Sequence, residues 1–218
     1  MRIVTGEDIL KANDRLADAN QARFSSQRVF VVNLLGSPGS GKTTLLEALV
    51  RHWDGQKRIG VVEGDLAGTI DAQRMEKLHI PVVQINTGGA CHLDASMIAA
   101  AVENLPLEEL EFLFVENVGN LVCPANFRLG EHLRLLLLSV PEGDDKPIKY
   151  PVIFQRVDAV AVSKIDLRAY LAFDVSQVRE QLKRLAPGAR LFEIAAIQNL
   201  GIPELAAFLE ESRARLFA

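Results

Sequence analysis

The sequence predicts a three-layer α/β fold, a mostly parallel sheet with helices on both faces. Three observations carry this reading. Short apolar runs alternate with segments of helical spacing along the chain. One of those runs leads straight into a glycine-rich loop that opens a helix. The length, 218 residues with 49% hydrophobic and 24% charged content, supports one sizeable core.

The elements are justified in chain order. Thr5-Gly6-Glu7-Asp8 has the form of a capping box, opening a helix with apolar positions at Ile9, Leu10 and Leu16 that runs to about Phe24. Val29 to Leu35 reads as a buried strand and Thr44 to Arg51 as a helix. Further strands are predicted at Ile59 to Glu63, Ile80 to Ile85, Phe112 to Glu116, Leu133 to Val140, Ala159 to Ser163 and Leu191 to Ile194. Helices are expected at Asp71 to Leu78, Leu93 to Glu103, Val175 to Leu185 and Pro203 to Leu216. Pro141 to Tyr150 reads as a long irregular stretch, a solvated charged loop carrying Asp144, Asp145, Lys146 and Lys149. Residues 1–26 are expected to form a helix packed on a single domain spanning residues 27–218.

The loop between the first strand and its helix is Gly36-Ser37-Pro38-Gly39-Ser40-Gly41-Lys42-Thr43, a complete Gly-x-x-x-x-Gly-Lys-Thr phosphate loop. Its glycines let successive N–H groups point inward at a phosphate chain, and the helix N-terminus adds partial positive charge. Lys42 is placed to reach the β- and γ-phosphates, and the Thr43 hydroxyl to ligate Mg²⁺. The chain is therefore read as a P-loop nucleoside triphosphate binder.

Nucleotide chemistry needs further groups at the carboxyl ends of other strands. Asp65 closes the second strand and Glu116 ends an apolar one. Both are candidates for the Mg²⁺ shell, since a hard cation prefers oxygen ligands; Asp65 can also serve simply as a turn residue. Phosphoryl transfer to water needs charge stabilisation and a positioned nucleophile, which assigns Lys42 to the first task and Asp65 to orienting water or metal. Spacing reveals no glutamine equivalent and no arginine finger, so slow intrinsic turnover is expected.

Base selection falls to Ser163-Lys164-Ile165-Asp166, which resembles the Asn-Lys-x-Asp element of GTPases. There the Asp carboxylate accepts hydrogen bonds from N1–H and the 2-amino group of guanine, a donor pair adenine lacks. Ser163 in place of the usual Asn removes an amide that braces the phosphate loop. Ala195-Ala196-Ile197 in place of Ser-Ala-Lys removes a hydroxyl. Lower nucleotide affinity is expected.

A second constellation lies in Gly88-Gly89-Ala90-Cys91-His92-Leu93-Asp94, with the other cysteine in Leu121-Val122-Cys123-Pro124. Thiolate and imidazole together suit Zn²⁺ or Ni²⁺. Two cysteines are too few for a disulfide framework, leaving them as buried thiols or metal ligands. Adjacent helical residues diverge by about 100°, so Cys91 and His92 can share a metal only in an irregular first turn or at a subunit interface. A helix start at this point lowers the thiol pKa.

The net charge of −4 gives no electrostatic footprint for nucleic acid or an anionic membrane. No apolar run approaches a spanning length, and Met1 to Thr5 leads into a polar helix rather than a secretory signal, which predicts a cytoplasmic protein.

At the cysteine segments the chain resembles the HypB family, GTPases that assist nickel insertion during [NiFe]-hydrogenase maturation. The resemblance rests on Asp8 to Asp14, the phosphate loop, Glu63-Gly64-Asp65, Gly88 to Ala95, Glu116 to Pro124 and Glu142 to Pro147, and so extends over nearly the whole chain. It implies a SIMIBI-class G domain and a homodimer with a metal site at or near the subunit interface. Cys91, His92 and Cys123 would be the Ni²⁺ or Zn²⁺ ligands. Gly36 to Thr44, Lys164 and Asp166 would hold GTP or GDP, with Thr43, Asp65 and Glu116 on Mg²⁺. The implied partners are the hydrogenase large subunit and a nickel-maturation accessory protein. The family's Cys-x-x-Cys-Gly-Cys motif and histidine-rich tract do not occur in this sequence before Thr5, which leaves the expected metal function with the G-domain site.

Three other readings fit parts of the pattern. A urease-type nickel GTPase typically uses a Cys-Pro-His segment, whereas Ala125 follows Cys123-Pro124 here. A P-loop metabolic kinase would have no need of Cys91 and His92, and a non-catalytic scaffold is compatible with the altered Ser163 and Ala196 regions.

Overall fold

The computed structural model describes residues 5–65 and 70–218. Residues 1–4, the start of the predicted N-terminal segment, lie outside the described residues. The strands are β1 (Phe30–Gly36), β2 (Ile59–Asp65), β3 (Val82–Asn86), β4 (Phe112–Glu116), β5 (Leu133–Ser139), β6 (Ala159–Ser163) and β7 (Arg190–Glu193). The helices are α1 (Gly6–Ser26), α2 (Lys42–Trp53), α3 (Ile70–Glu76), α4 (Ala95–Ala101), α5 (Lys146–Lys149), α6 (Pro151–Phe154), α7 (Val175–Leu185) and α8 (Ile202–Leu216). The strands form one parallel sheet in the order β3-β2-β4-β1-β5-β6-β7.

Burial on both faces explains why the central strands read as continuous apolar runs. Within each strand, alternate residues enter different cores. Val32 and Leu34 of β1, Leu135 and Leu137 of β5 and Ala161 of β6 pack with Leu45, Leu49 and Trp53 of α2 and Leu205 and Leu209 of α8. Leu136, Leu138, Val160 and Val162 point the other way, toward Phe154 of α6 and Val178 and Leu182 of α7. Val31 and Leu113 share that second face with Phe24 of α1 and Ile98 of α4. The core is thus two apolar layers with the sheet between them.

The capping box of α1 is formed: Thr5 Oγ1 accepts from the Asp8 N–H, and the Thr5 N–H donates to Asp8 Oδ2 at 3.0 Å. Polar rather than apolar side chains dock much of this helix. Asn13 Oδ1 accepts from the Ala95 N–H, while Asn20 Nδ2 donates to the carbonyls of Ala95 and Leu129. His132, just before β5, joins α1 to the sheet. Its Nδ1 accepts from the Val31 N–H at 2.9 Å, so Nε2 carries the proton toward Ser25 Oγ. Burial pushes the His132 pKa down to about 4, against the opposing pull of the Glu131 carboxylate.

Most elements shift by one or two residues at their ends, and three differences from expectation have a local physical cause. Strand β3 begins at Val82 rather than Ile80, because Pro81 has no N–H to pair, although its carbonyl still accepts from Val61. Helix α4 begins at Ala95, not Leu93: Asp94 is its N-cap and accepts from the Met97 N–H at 2.9 Å. Its end tightens into a 3₁₀ turn, Val102–Asn104. The stretch from Pro141 to Tyr150 is also more ordered than a loop. A 3₁₀ turn, Val140–Glu142, is boxed by Ser139 and Glu142 and ends at Gly143, whose φ is +94°. Beyond it Pro147 and Pro151, each in a first turn, define the one-turn helices α5 and α6. The charges of this stretch pair locally, with Lys149 Nζ 2.5 Å from Asp145 Oδ2.

Candidate functional site

The sheet changes winding direction at β1, which lies between β4 and β5, and the crevice at such a point lies outside the carboxyl ends of the strands. A cleft of about 330 Å³ opens there, lined by the phosphate loop, Glu63, Asp65, Glu116, Asn117 and Lys164 among others. The loop's backbone has the form a phosphate cradle needs, with Gly39 at φ +72° and Gly41 at φ +98°. Gly119 lets the segment after β4 press against this loop, since a Cβ there would lie 2.7 Å from the Pro38 nitrogen.

Lys42 is buried, with Nζ 3.4 Å from the Ser37 carbonyl. The Thr43 hydroxyl donates to Glu116 Oε1 at 2.9 Å, so two of the sequence-predicted Mg²⁺ ligands already touch. Asp65, half-buried at the end of β2, lines the same cleft. The hydroxyl and carboxylates form the hard-oxygen donor set that Mg²⁺ prefers, so the residues fit the ion. Glu63 adds another buried carboxylate, paired in register with Glu116 across β2 and β4.

On the base side, Lys164 sits in the left-handed region at φ +57° and its Nζ donates to the Gly39 carbonyl at 2.8 Å. Asp166 lies exposed in the 3₁₀ turn Ile165–Ala169 and is not among the residues lining the cleft. The Ile165 N–H donates to the Ile194 carbonyl, holding that turn beside the Ala195-Ala196-Ile197 segment. The expected loss of bracing at Ser163 does not occur. The Ser163 hydroxyl donates to the Ser40 carbonyl at 2.6 Å, holding β6 to the phosphate loop with a shorter side chain.

The candidate soft ligands converge at a second place on the same edge. Cys91 and His92 leave β3 through a turn in which the Gly88 N–H is held by Asn86 and the Thr87 hydroxyl donates to the Ala90 carbonyl. Cys123 lies beyond β4 and begins a 3₁₀ turn, Cys123–Asn126. Ligand atoms of Cys91, His92 and Cys123 all lie within 4.8 Å of one another, with Cys91 Sγ 3.7 Å from His92 Nδ1. A tetrahedral ion bound by two thiolates and an imidazole at ~2.0–2.3 Å spaces its donors about 3.5–3.8 Å apart, so a small closure would bring these three side chains to ligand spacing.

The geometry corrects one expectation. Cys91 stands outside α4, and its thiol is raised rather than lowered, chiefly by its hydrogen bond with the Cys123 thiol and then by burial. Burial holds the His92 imidazole below its usual pKa, with Asp94 pulling the other way, which favours the neutral ligand form. The adjacent Cys91 and His92 can converge because neither belongs to the helix.

Several residues that sequence reasoning missed hold this arrangement. The Phe127 ring lies 4.0 Å from the His92 ring, centre to centre. Asn117 Oδ1 accepts from the N–H groups of Leu93 and Val118, and its amide donates to Asn33 in the middle of β1. Asn33 in turn donates to Glu131 Oε1, and Glu131 is ion-paired with Arg134, whose guanidinium holds the carbonyls of Ala125 and Phe127. Burial raises the Glu131 carboxyl, but Arg134 and the backbone N–H of Leu129 outweigh it and hold it below the usual range. A polar Asn33 inside an otherwise apolar strand was the available signal. Arg74 of α3 also lines the nucleotide cleft, bonded to both Glu47 oxygens and 3.3 Å from Thr44 Oγ1. Nothing local in the sequence marks that contact.

Comparison with known proteins agrees with this architecture. The family described as CobW/HypB/UreG, nucleotide-binding domain, matches residues 30–193. The hydrogenase maturation factor HypB of Escherichia coli K12 is 44% identical over 206 residues, covering 94% of this chain and 71% of that relative. The crystal structure of HypB from Helicobacter pylori in complex with nickel superposes with a TM-score of 0.91 at 42% identity, covering 94% of this chain and 97% of that one. The hydrogenase maturation factor HypB from Archaeoglobus fulgidus superposes with a TM-score of 0.87 at 34% identity, covering 93% and 99%. With its parallel sheet, its phosphate loop and these relatives, the chain belongs to the HypB family of hydrogenase maturation factors within the CobW/HypB/UreG group of nucleotide-binding proteins.

Proposed function

We propose that this protein is a GTPase that hydrolyses GTP to GDP and phosphate to drive nickel delivery into [NiFe]-hydrogenase. The observation that carries the reading is the convergence of Cys91, His92 and Cys123 within 4.8 Å on the same sheet edge as the phosphate cleft. A phosphate-transferring kinase has no use for two thiols and an imidazole at that point. The relative of known structure in complex with nickel supports nickel as cargo, and the donor set also suits Zn²⁺.

In this reading residues 27–218 form the GTPase unit, with α1 (Gly6–Ser26) packed on it. Gly36 to Thr44 enclose the phosphates, Lys42 neutralises the β- and γ-oxygens, and Asp166 reads guanine while Lys164 ties its turn to the Gly39 carbonyl. Thr43, Asp65 and Glu116 would hold Mg²⁺, which would supply charge neutralisation at the phosphates. Asp65 orients the attacking water. No covalent step on the protein is needed, because phosphoryl transfer to water depends on positioning and electrostatics. Turnover by the chain alone is slow, and rapid multiple turnover without a partner would count against a switch role.

The fourth position that three ligands leave on a tetrahedral ion is met at the interface of a homodimer. Exposed apolar side chains beside Cys123 support that interface: Val122 precedes it, and Val152 lies on α6, which packs against the Cys123–Asn126 turn. The hydrogenase large subunit and a nickel-maturation accessory protein are the partners in a cytoplasmic pathway. Among the described residues no helix is long and apolar enough to cross a membrane.

The test titrates Ni²⁺ and Zn²⁺ into the wild type and into Cys91→Ala, His92→Ala and Cys123→Ala, alongside GTP hydrolysis assays. Each variant should lose metal affinity by at least tenfold while still binding GDP. Unchanged metal binding in all three removes the delivery reading.

A further inference from the structure

Asn120 touches three things at once. Its backbone N–H donates to the Gly36 carbonyl at 3.0 Å, forming an isolated antiparallel bridge with the first residue of the phosphate loop. Its side-chain amide donates to the Cys91 carbonyl at 3.2 Å. Its Oδ1 accepts from the Val122 N–H at 2.8 Å, one residue before Cys123. The main chain therefore belongs to the phosphate loop, and the side chain holds both cysteine segments.

We propose that Asn120 is the positioning residue through which nucleotide state sets metal affinity. This rests on the reading of Cys91, His92 and Cys123 as the metal site. Asn120 is neither a metal ligand nor a lining residue of the nucleotide cleft. Its neighbour Gly119 lies against Pro38 so closely that a Cβ there would approach the Pro38 nitrogen to 2.7 Å. A close-packed contact of this kind transmits displacement rather than absorbing it. When phosphate oxygens draw in the loop's N–H groups, a shift of Gly36 and Pro38 moves the Asn120 backbone. The rigid planar amide then carries that movement to the Cys91 carbonyl and the Val122 N–H together. One residue can thereby change the spacing between the thiols, and ligand spacing is what a tetrahedral ion reads.

The test measures Ni²⁺ and Zn²⁺ affinity of the full chain with GDP and with a non-hydrolysable GTP analogue, for the wild type, Asn120→Ala and Asn120→Asp. The wild type should bind metal with affinities that differ between the two nucleotides. Asn120→Ala keeps the backbone bridge but loses both side-chain bonds. It should bind GDP as the wild type does, lose about tenfold in metal affinity, and show a nucleotide ratio within about twofold of one. Asn120→Asp keeps the acceptor for Val122 but loses the donor to Cys91, and should also flatten the ratio. The sulfur-to-metal charge-transfer band of the Co²⁺-loaded protein should keep its position but lose its nucleotide dependence. A wild-type ratio retained by Asn120→Ala overturns the proposal, as does a wild type that binds metal equally in both states; the delivery reading survives either result. A wild type that binds no metal at Cys91 overturns both.

Discussion

The Ser163 hydroxyl donates to the Ser40 carbonyl at 2.6 Å, tying the end of β6 to the middle of the phosphate loop. Both residues are buried, so removing the donor leaves a buried carbonyl without this partner. Ser163→Ala should weaken GDP binding by about 1 kcal/mol, roughly fivefold. Isothermal titration checks it, and an unchanged affinity would show that the brace does not hold the loop in its binding form.

Asp166 lies exposed in the Ile165–Ala169 turn, where the proposed function has it accept from the edge of guanine. Asp166→Ala should lower GTP affinity by about 100-fold or more, because two hydrogen bonds to a charged acceptor, about 1.5–3 kcal/mol each, are lost. Competition by ATP should then approach competition by GTP. Retained discrimination between the two would move base recognition elsewhere.

Phe127 lies against His92, and Arg134 holds the Phe127 carbonyl at 3.0 Å. Phe127→Ala should leave all three metal ligands present but free the imidazole to rotate. An aromatic pair of this kind contributes about 0.5–1.5 kcal/mol, so Ni²⁺ affinity should fall about two- to tenfold. Competition with a colorimetric chelator reads that change.

His132 predicts a pH dependence of folding. Its pKa is pushed down to about 4 in the folded state, against about 6.5 unfolded. Below pH ~6.5 the unfolded chain takes up a proton that the native protein refuses. This contribution to stability is therefore complete above pH ~6.5 and is lost as pH falls toward 4. Allowing for partial exposure, the loss amounts to about 2 kcal/mol. In chelator-treated protein, His132→Gln should show a shallower fall in urea midpoint between pH 7 and pH 4.5. Parallel profiles for the two proteins would rule out this titration as the cause.

Much of the fold was legible because its signals are local. The strands β4 and β6 and the helix α7 fall where periodicity places them, since burial on both faces gives unbroken apolar runs and one-sided burial gives helical spacing. The phosphate loop declares itself through glycine spacing for the same reason. Capping was harder: Asp94, rather than the apolar Leu93, sets the start of α4, which places Cys91 and His92 in the turn before the cap rather than at the helix start.

The sequence alone determined the layered α/β architecture and the phosphate loop, and it singled out Cys91, His92 and Cys123 as candidate ligands, because each of these signals is local. Tertiary structure decided which groups meet. The sheet order β3-β2-β4 brings the segment after β3 to the segment after β4 across the end of β2, so Cys91 and His92 reach Cys123. The placement of β6 two strands from β1 carries Ser163 to Ser40. The role proposed for Asn120 comes from tertiary contacts alone, its backbone on the phosphate loop and its side chain on both cysteine segments. Such contacts depend on strand order and close approach, which residue spacing along one chain does not encode locally.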